Sequence, residues 1–124
     1  MNARNMRFLK LAKKMSAQSE SKFRVGAVIA KGSRILGAGS NDMHKTHPKS
    51  MSSTKCIHAE HAALINSGPS DLIDAVAYVS RITRDGATAI AKPCSSCRKL
   101  LFNAGIRKVF YSVSDFPFWE VDEF

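Results

Sequence analysis

Two short motifs that lie far apart in the chain constrain its fold more than any other feature of the sequence. The first occupies residues 56–60 and reads CIHAE, and the second occupies residues 93–97 and reads PCSSC. Together they offer one imidazole, one carboxylate and several thiols, and imidazole and thiolate are the ligands that Zn²⁺ prefers. A fold that uses these groups must bring the two segments together, so we predict a metal site assembled from both.

The spacing within each motif indicates how the side chains can converge. Cys94 and Cys97 are three residues apart at a predicted helix start, which puts both thiols on one face of the first turn. His58 and Glu60 are only two apart, and on a regular helix they would point to nearly opposite sides. We therefore expect His58 to lie at the very start of its helix. Two helix N-termini would then point at the metal and stabilise the thiolates.

Three protein ligands predict a catalytic rather than a structural metal. With His58, Cys94 and Cys97 bound, a tetrahedral Zn²⁺ keeps its fourth position for water and lowers the pKa of that water. Glu60 is then placed to act as a proton carrier. It could take a proton from this water, pass it to a ring nitrogen of a substrate and later protonate an amine that leaves the substrate. In the alternative interpretation, Cys56 is the fourth ligand and closes the site, but Glu60 then has no role.

Length and composition favour one small domain. A chain of 124 residues with 44% hydrophobic residues fits a single compact domain over residues 1–124. The longest apolar run, residues 25–30, is far too short to span a bilayer, so we expect no membrane association. Three cysteines, two of them in a C-x-x-C, favour metal binding in a reducing compartment over disulfides. We therefore predict a cytoplasmic protein.

The net charge of +9 is distributed unevenly. Residues 1–24 hold seven Lys or Arg and one acid, whereas residues 113–124 hold four acids and no base. Such a balance suits an anionic ligand, either a nucleotide or a nucleic-acid backbone. The aromatic residues of the segment 116–124 lie among its acids and do not alternate with the N-terminal bases, which argues against a polynucleotide surface. We expect this segment to cover the sheet or to form an oligomer contact, and the alternative is an aromatic lid over a bound base.

The order of the elements predicts an α/β fold. Phe8, Leu11, Ala12 and Met15 mark an amphipathic first helix, and a hairpin over 23–39 turns at Gly32. The remaining elements are a loop over 40–55, a helix from His58 to before Gly68, a strand over 75–82, a loop over 83–92, a helix from Pro93 to Gly105 and a strand over 106–111. We expect a three-layer α/β/α sandwich with a mixed sheet of four strands, or five if residues 116–124 add one. The last two strands before this segment could be joined by a parallel crossover.

In its H-x-E…P-C-x-x-C motifs and in the order of its elements, nearly the whole chain resembles the cytidine and deoxycytidylate deaminase superfamily. The resemblance implies a cytidine-deaminase-like sandwich with zinc between the starts of two helices. It implies His58, Cys94 and Cys97 as zinc ligands and Glu60 as the catalytic acid and base. It also implies that the backbone N–H of Ala59 contacts the substrate ring. Asn41, at the end of the second strand, lies where such enzymes place an Asn against the sugar.

Residues 37–41, the long loop that follows and the histidine ligand are similar to those of deoxycytidylate deaminases. This similarity implies hydrolysis of dCMP to dUMP with release of ammonia, a pyrimidine nucleotide as the small-molecule partner and a homo-oligomer. The alternatives are a nucleoside deaminase, a deaminase of tRNA adenosine or of a polynucleotide, and a non-enzymatic zinc-structured nucleic-acid-binding domain. The candidates for binding phosphate are Lys45, Lys49, Lys55, Arg81 and Arg84.

Overall fold

The computed structural model describes residues 1–19, 23–41 and 58–124. Its helices are α1 (Ala3–Ser16), α2 (Ala59–Asn66) and α3 (Ser95–Ala104). Its strands are β1 (Arg24–Lys31), β2 (Arg34–Ser40), β3 (Val76–Ile82), β4 (Thr88–Ala89), β5 (Lys108–Ser112) and β6 (Trp119–Glu123). Of the predicted loop over 40–55, the structure describes Ser40, which ends β2, and Asn41. The rest of that loop, with Lys45, Lys49 and Lys55, and the proposed alternative ligand Cys56 lie outside the described residues.

The strands form one mixed sheet in the order β2-β1-β3-β5-β6, with β4 paired to β3. All neighbours are antiparallel except β3 and β5, which run parallel. Helix α3 lies between these two strands in the sequence, so β3, α3 and β5 form the predicted parallel crossover. The parallel pair places the C-terminal ends of β3 and β5 side by side at one edge of the sheet.

The first face of the sheet is covered by α1. Asn2 caps this helix through a hydrogen bond that its side chain accepts from the backbone N–H of Asn5, at 2.8 Å. The apolar side of α1 packs on every second residue of the central strands, because side chains alternate across a sheet. The buried cluster on this face consists of Phe8, Leu9, Ala12, Val28, Ala30, Tyr78 and Phe110.

The second face of the sheet is covered by α2 and α3. The intervening strand residues point this way, and Ala27, Ile29, Ala77, Val79 and Val109 pack with Ala59 and Ala63 of α2 and Leu101 of α3. Strand β1 is therefore buried on both sides, as its continuous apolar sequence predicts. The three-layer α/β/α sandwich is confirmed.

Glycines let the helices approach the sheet closely. A Cβ added at Gly26 of β1 would lie 2.1 Å from the backbone oxygen of Ala12 in α1. A Cβ added at Gly37 of β2 would lie 2.4 Å from the backbone oxygen of Ala63 in α2. Each face thus has a strand position where only glycine fits against a helix backbone. Gly39 of β2 is another on the second face, where an added Cβ would lie 2.9 Å from the backbone nitrogen of Ala63.

The sheet has more strands than the four expected, because two short segments add to it. The segment from Phe116 onward supplies β6, which is the fifth strand that was offered as an alternative. The prediction of a loop over 83–92 is wrong in one place, since Thr88 and Ala89 pair with Ile82 and Arg81 as β4. No helix in the described part of the chain has the length and apolar character needed to cross a bilayer.

Candidate metal centre and active site

Two helix starts on the second face meet at one point. His58 is the N-cap residue of α2, with extended backbone angles, and Cys94 is the N-cap residue of α3, also extended. His58 therefore lies outside regular helical geometry, as its spacing from Glu60 requires. The unpaired N–H groups at both helix starts face this point and favour negative charge there.

Three side chains converge between these helix starts. The Nδ1 atom of His58 lies 3.2 Å from Sγ of Cys97 and 3.8 Å from Sγ of Cys94. The three ligand atoms all lie within 4.8 Å of one another. Tetrahedral Zn²⁺, with Zn–S of about 2.3 Å and Zn–N of about 2.0 Å, separates sulfur and nitrogen ligands by about 3.5 Å. His58, Cys94 and Cys97 are thus positioned to bind a metal ion, and an N,S,S donor set fits zinc.

The electrostatics of the site also fit a cation. Burial raises the pKa of the Cys97 thiol above its ordinary value, and the neighbouring charges of Glu60 and Cys94 raise it further. Three groups that can each carry negative charge therefore lie together with a single imidazole beside them. A divalent cation offsets this repulsion, because coordination favours the thiolate over the thiol.

Glu60 lies on the first turn of α2, where its side chain is only 6% exposed. Burial raises its pKa above the ordinary value for a carboxyl group. A backbone N–H, the charge of His58 and the Cys97 thiol oppose this rise. A carboxyl group with a raised pKa beside a metal site is suited to receive and return a proton near neutral pH.

A cavity of about 350 Å³ opens directly beside the three candidate ligands. His58, Ala59, Glu60 and Cys94 line one side of it, and Asn41 lines another. Ala59 is the first residue of α2, so its N–H has no acceptor within the helix. The cavity is of the size that small-molecule sites have, about 300 Å³ or more.

Asn41 joins the cavity wall to the start of β1. Its Oδ1 accepts a hydrogen bond from the N–H of Val25 at 2.9 Å, and its Nδ2 donates to the carbonyl oxygen of Phe23 at 2.5 Å. Its own N–H donates to the carbonyl of Val25 at 3.1 Å. These contacts fix the amide at the cavity, and Nδ2 retains a second hydrogen for a ligand.

Arg81 faces the same cavity from the end of β3. Its guanidinium lies over the ring of Phe23, with the central carbon 4.7 Å from the ring centroid. Its Nε is buried and has no hydrogen-bond partner among the described residues. Arg84, the other arginine candidate, is exposed in the turn after β3 and does not line the cavity.

Comparison with known proteins decides the family. A family model described as the cytidine and deoxycytidylate deaminase zinc-binding region matches residues 2–113. The chain belongs to the cytidine and deoxycytidylate deaminase family. Membership assigns zinc as the cofactor of this deaminase, and the N,S,S cluster at the two helix starts fits that ion.

Individual members of the deaminase family are similar in sequence and in fold. A deoxycytidylate deaminase of Mycobacterium phage D29 is 30% identical, over 84% of this chain and 90% of the phage protein. The dCMP deaminase of cyanophage S-TIM5 has a TM-score of 0.70 at 23% identity, and the match covers 91% of this chain and 86% of that one. A cytidine deaminase from Burkholderia pseudomallei gives a TM-score of 0.65 at 20% identity, covering 99% and 93%. These structures share the fold.

Five further residues line the cavity that sequence analysis did not identify as part of the site: Phe23, Val25, Ile90, Ala91 and Lys92. Phe23 and Ile90 expose apolar side chains at its rim, and Lys92 adds a cation next to them. The sequence holds one signal for Lys92, since it immediately precedes Pro93 of the second motif. Phe23 and Ile90 carry no such signal, because their position depends on how β1 and the segment after β4 meet.

Proposed function

We propose that this protein is a zinc-dependent hydrolytic deaminase of a cytosine nucleotide, and that its substrate is dCMP and its product dUMP. The observation that carries the proposal is the meeting of His58, Cys94 and Cys97 beside the buried carboxyl group of Glu60, at the wall of a nucleotide-sized cavity. Family membership supports the reaction type. The phage D29 relative, a deoxycytidylate deaminase, supports the nucleotide substrate.

In this proposal each group at the cavity has one role. His58, Cys94 and Cys97 hold the metal, which when bound acidifies a water molecule and so supplies a nucleophile near neutral pH. Glu60 would serve as the proton carrier of the site: its carboxyl group would accept a proton from the attacking water, pass it to N3 of the cytosine ring and later protonate the departing amine. The raised pKa of Glu60 suits this proton transfer, because a carboxyl group with an ordinary pKa would release the proton too readily.

The remaining polar groups orient the substrate. The N–H of Ala59 lies free at the helix start and faces the cavity, so we assign it to a polar atom of the pyrimidine ring. The second hydrogen of Asn41 Nδ2 is assigned to the sugar. Phe23 and Ile90 offer exposed apolar surface at the rim of the cavity, against which we expect the cytosine ring to pack.

Arg81 is the residue that we assign to the 5′-phosphate. A buried guanidinium nitrogen without a partner is costly unless a ligand supplies one, and phosphate is the anion that guanidinium binds best. The ring of Phe23 holds the guanidinium in place. Lys92 lines the same cavity and adds positive charge, but its side chain is exposed and no aromatic ring holds it in place among the described residues.

Ammonia release tests the proposal most broadly. Zinc-loaded protein is incubated with cytidine, deoxycytidine, dCMP, dCTP, adenosine and a cytosine-containing oligonucleotide. We expect the highest kcat/KM with dCMP. A higher kcat/KM with deoxycytidine would replace the nucleotide assignment with a nucleoside deaminase, and ammonia from adenosine alone would overturn the assignment to cytosine.

A matched pair of arginine variants tests the phosphate assignment. Arg81→Gln should lower kcat/KM for dCMP by about 10- to 100-fold, the loss expected for a charge-assisted hydrogen bond of about 1.5–3 kcal/mol. Its kcat/KM for deoxycytidine should change little. Arg84→Gln removes the same charge from the exposed turn and should leave both values near those of the wild type. If Arg81→Gln lowered kcat/KM equally for dCMP and deoxycytidine, Arg81 would stabilise the structure of the site and would not bind phosphate.

We further propose a homo-oligomer that works in a reducing compartment such as the cytoplasm. Ile73 is 61% exposed and Phe102 is 45% exposed, and both lie near the end of α3, where they offer an apolar contact. A site with two thiolates needs reduced cysteines. Light scattering after size exclusion should give a mass above 13.6 kDa, and a monomer would contradict the oligomer.

A further inference from the structure

A second cavity, of about 440 Å³, lies on the first face of the sheet. It runs between α1 and the segment that leads into β6, and we call it the α1 groove. Its walls combine lysines, hydroxyls and aromatic rings: Met6, Leu9, Lys10 and Lys13 from α1, Ser80, Thr88 and Ser112 from the strands, and Pro117, Phe118 and Trp119. None of these lining residues is acidic. Sequence analysis did not predict this groove.

In the α1 groove, aromatic residues near the C-terminus lie beside N-terminal bases with which they do not alternate in the sequence. Phe118 and Trp119 are distant from Lys10 and Lys13 in sequence, but all four line the same groove. The fold joins them because β6 pairs with β5 and thereby carries Trp119 to the face that α1 covers. Basic and aromatic side chains therefore do interleave, in space although not in sequence.

The acids of the same segment are directed elsewhere. Glu120 accepts a hydrogen bond from the Tyr111 hydroxyl at 2.7 Å, and Asp122 pairs with Arg98 at 3.3 Å. Glu123 pairs with Lys108 at 3.4 Å. Asp115 lies in the exposed turn and does not line the groove. The local charge of the groove is positive although the segment that forms one wall is acidic overall.

Two features of the groove suit a nucleic-acid base. Phe118 is 49% exposed and Phe116 is 87% exposed, and their rings meet edge to face with centroids 6.1 Å apart. Phe118 has a φ of +71°, a conformation that is costly for a large side chain. The structure thus holds an exposed ring in place at the groove, where a flat base can stack on it.

The positive charge continues beyond the groove along α1. Arg7, Lys10, Lys13 and Lys14 are all exposed, and the described part of α1 contains no acid. The helix has 14 residues and is about 21 Å long. A free nucleotide would use only the groove, whereas a strand with successive phosphates matches the whole basic face.

We propose that the α1 groove and the basic face of α1 bind single-stranded nucleic acid. Bases stack on Phe118 in the groove wall and on the exposed ring of Phe116 beside it, and the lysines of α1 contact phosphates. Lys13 is held at the groove by a hydrogen bond of 3.2 Å from its Nζ to the Thr88 hydroxyl. Ser80 adds a polar group to the lining, although its side chain is only 2% exposed. The proposal concerns binding and does not depend on the deaminase activity.

The groove and the metal centre are separate but lie at the same end of the sheet. Ser80 of β3 faces the groove, and the next residue, Arg81, faces the cavity beside the metal centre. Likewise Thr88 lines the groove, and Ile90 lines the cavity. A strand on the groove is therefore held next to the catalytic cavity without filling it.

Fluorescence anisotropy with a labelled oligothymidylate of about 16 nucleotides tests the proposal on the zinc-loaded full chain. Thymine has no exocyclic amine, so turnover does not interfere. We expect binding that weakens steeply between about 50 mM and about 200 mM salt. The double variant Lys10→Gln/Lys13→Gln should reduce the slope of log K against log salt by about 1.4, because each phosphate contact in a single strand contributes about 0.7.

Matched variants separate the groove from general charge. Lys31→Gln/Lys99→Gln removes the same charge from two exposed positions that do not line the groove, and its salt slope should stay that of the wild type. Phe118→Ala should weaken binding by about 5- to 150-fold, the loss of one stacked base. Phe116→Leu keeps an apolar side chain but loses the flat ring, so it should also weaken binding if stacking is the contact. Thermal unfolding of each variant confirms that it is folded.

Three results would overturn the proposal. The first is absence of binding at low salt by the wild-type protein. The second is an equal decrease of the salt slope in the Lys31→Gln/Lys99→Gln control, which would show that binding depends only on the net charge of the protein. The third is displacement of the oligonucleotide by a competitor. Displacement by saturating dCMP would place the strand in the catalytic cavity. Displacement by polyglutamate of equal charge would show that the surface binds acidic polymers in general.

Discussion

The two faces of the sheet use the same strands for different purposes. On the second face, the groups that bear chemistry are fixed at the starts of α2 and α3, where Glu60 and Cys97 are buried and Cys94 is exposed. On the first face, the α1 groove combines exposed side chains, such as Lys10, Lys13 and Phe118, with the buried hydroxyls of Ser80 and Ser112. Because side chains alternate along β3, neighbours such as Ser80 and Arg81 serve different faces.

The two faces therefore have different structural requirements. A metal centre needs ligands within tenths of an ångström of their places, and helix starts on a packed sheet provide that precision. A binding groove for a flexible strand depends on charge and flat surface, which exposed side chains provide. The predictions below separate the two faces, in order of decreasing effect.

Replacement of a thiol should have the largest effect. Cys97→Ser removes a buried sulfur from the three-residue cluster, so we expect zinc content to fall far below one per chain and ammonia release to fall below detection. Mass spectrometry of the purified protein for zinc measures the first quantity. Ser96→Ala, at an exposed neighbour on α3, serves as the control and should retain full zinc. Full zinc in Cys97→Ser would contradict the ligand assignment.

Two of the close-approach glycines allow the faces to be disturbed one at a time. Gly26→Ala forces a methyl group against the α1 backbone, and Gly37→Ala forces one against the α2 backbone. Each should lower the free energy of unfolding by at least about 1–3 kcal/mol, the usual cost of overpacking. Only Gly37→Ala moves the helix that carries His58 and Glu60, so it should also reduce turnover per folded molecule.

Urea unfolding and ammonia release, measured on the same two preparations, check this prediction. Equal turnover per folded molecule in Gly26→Ala and Gly37→Ala would show that the position of α2 does not limit the chemistry. A loss of turnover in Gly26→Ala alone would reverse the roles of the two faces.

The smallest expected effect is a change in the pH dependence of stability when the Tyr111 hydroxyl is removed. Burial, together with Glu120, raises its pKa to about 12, whereas an unfolded tyrosine has a pKa of about 10. The neutral phenol is thus favoured in the folded state, and its contribution to stability is complete below pH 10 and is lost as the pH rises towards 12. Tyr111→Phe should cost about 1 kcal/mol at pH 8 and should lose less stability than the wild type between pH 8 and pH 11. An unchanged pH dependence, measured by urea unfolding, would contradict this.

The metal cluster could be predicted from the sequence because its spacing encodes local geometry. A histidine two residues before Glu60 and cysteines three residues apart can meet only at two helix starts, and His58 and Cys94 are both N-cap residues. The helices and the central strands follow from periodicity and from turn residues such as Gly32 and Gly105, which adopt positive φ. These features depend on residues near one another in the chain.

The features that were missed depend on residues far apart in the chain. Strand β4 has only two residues, too few for any periodic pattern. The α1 groove arises where β6 lies beside α1, and net charge along the sequence does not report which elements become neighbours. Arg81 could be named as a candidate for phosphate, but the sequence did not distinguish it from Arg84. Arg81 lies in β3 and lines the cavity, whereas Arg84 lies in the turn beyond the end of that strand.

The most direct test of the central claim is turnover by the Glu60→Gln variant in its zinc-loaded form. The amide is similar in size to the carboxyl group but cannot carry the proton, so zinc content should match that of the wild type. The kcat for dCMP should fall by about 10²–10⁴-fold, the contribution of general acid and base catalysis. Retention of kcat within a few-fold of the wild type, with zinc present, would contradict the account.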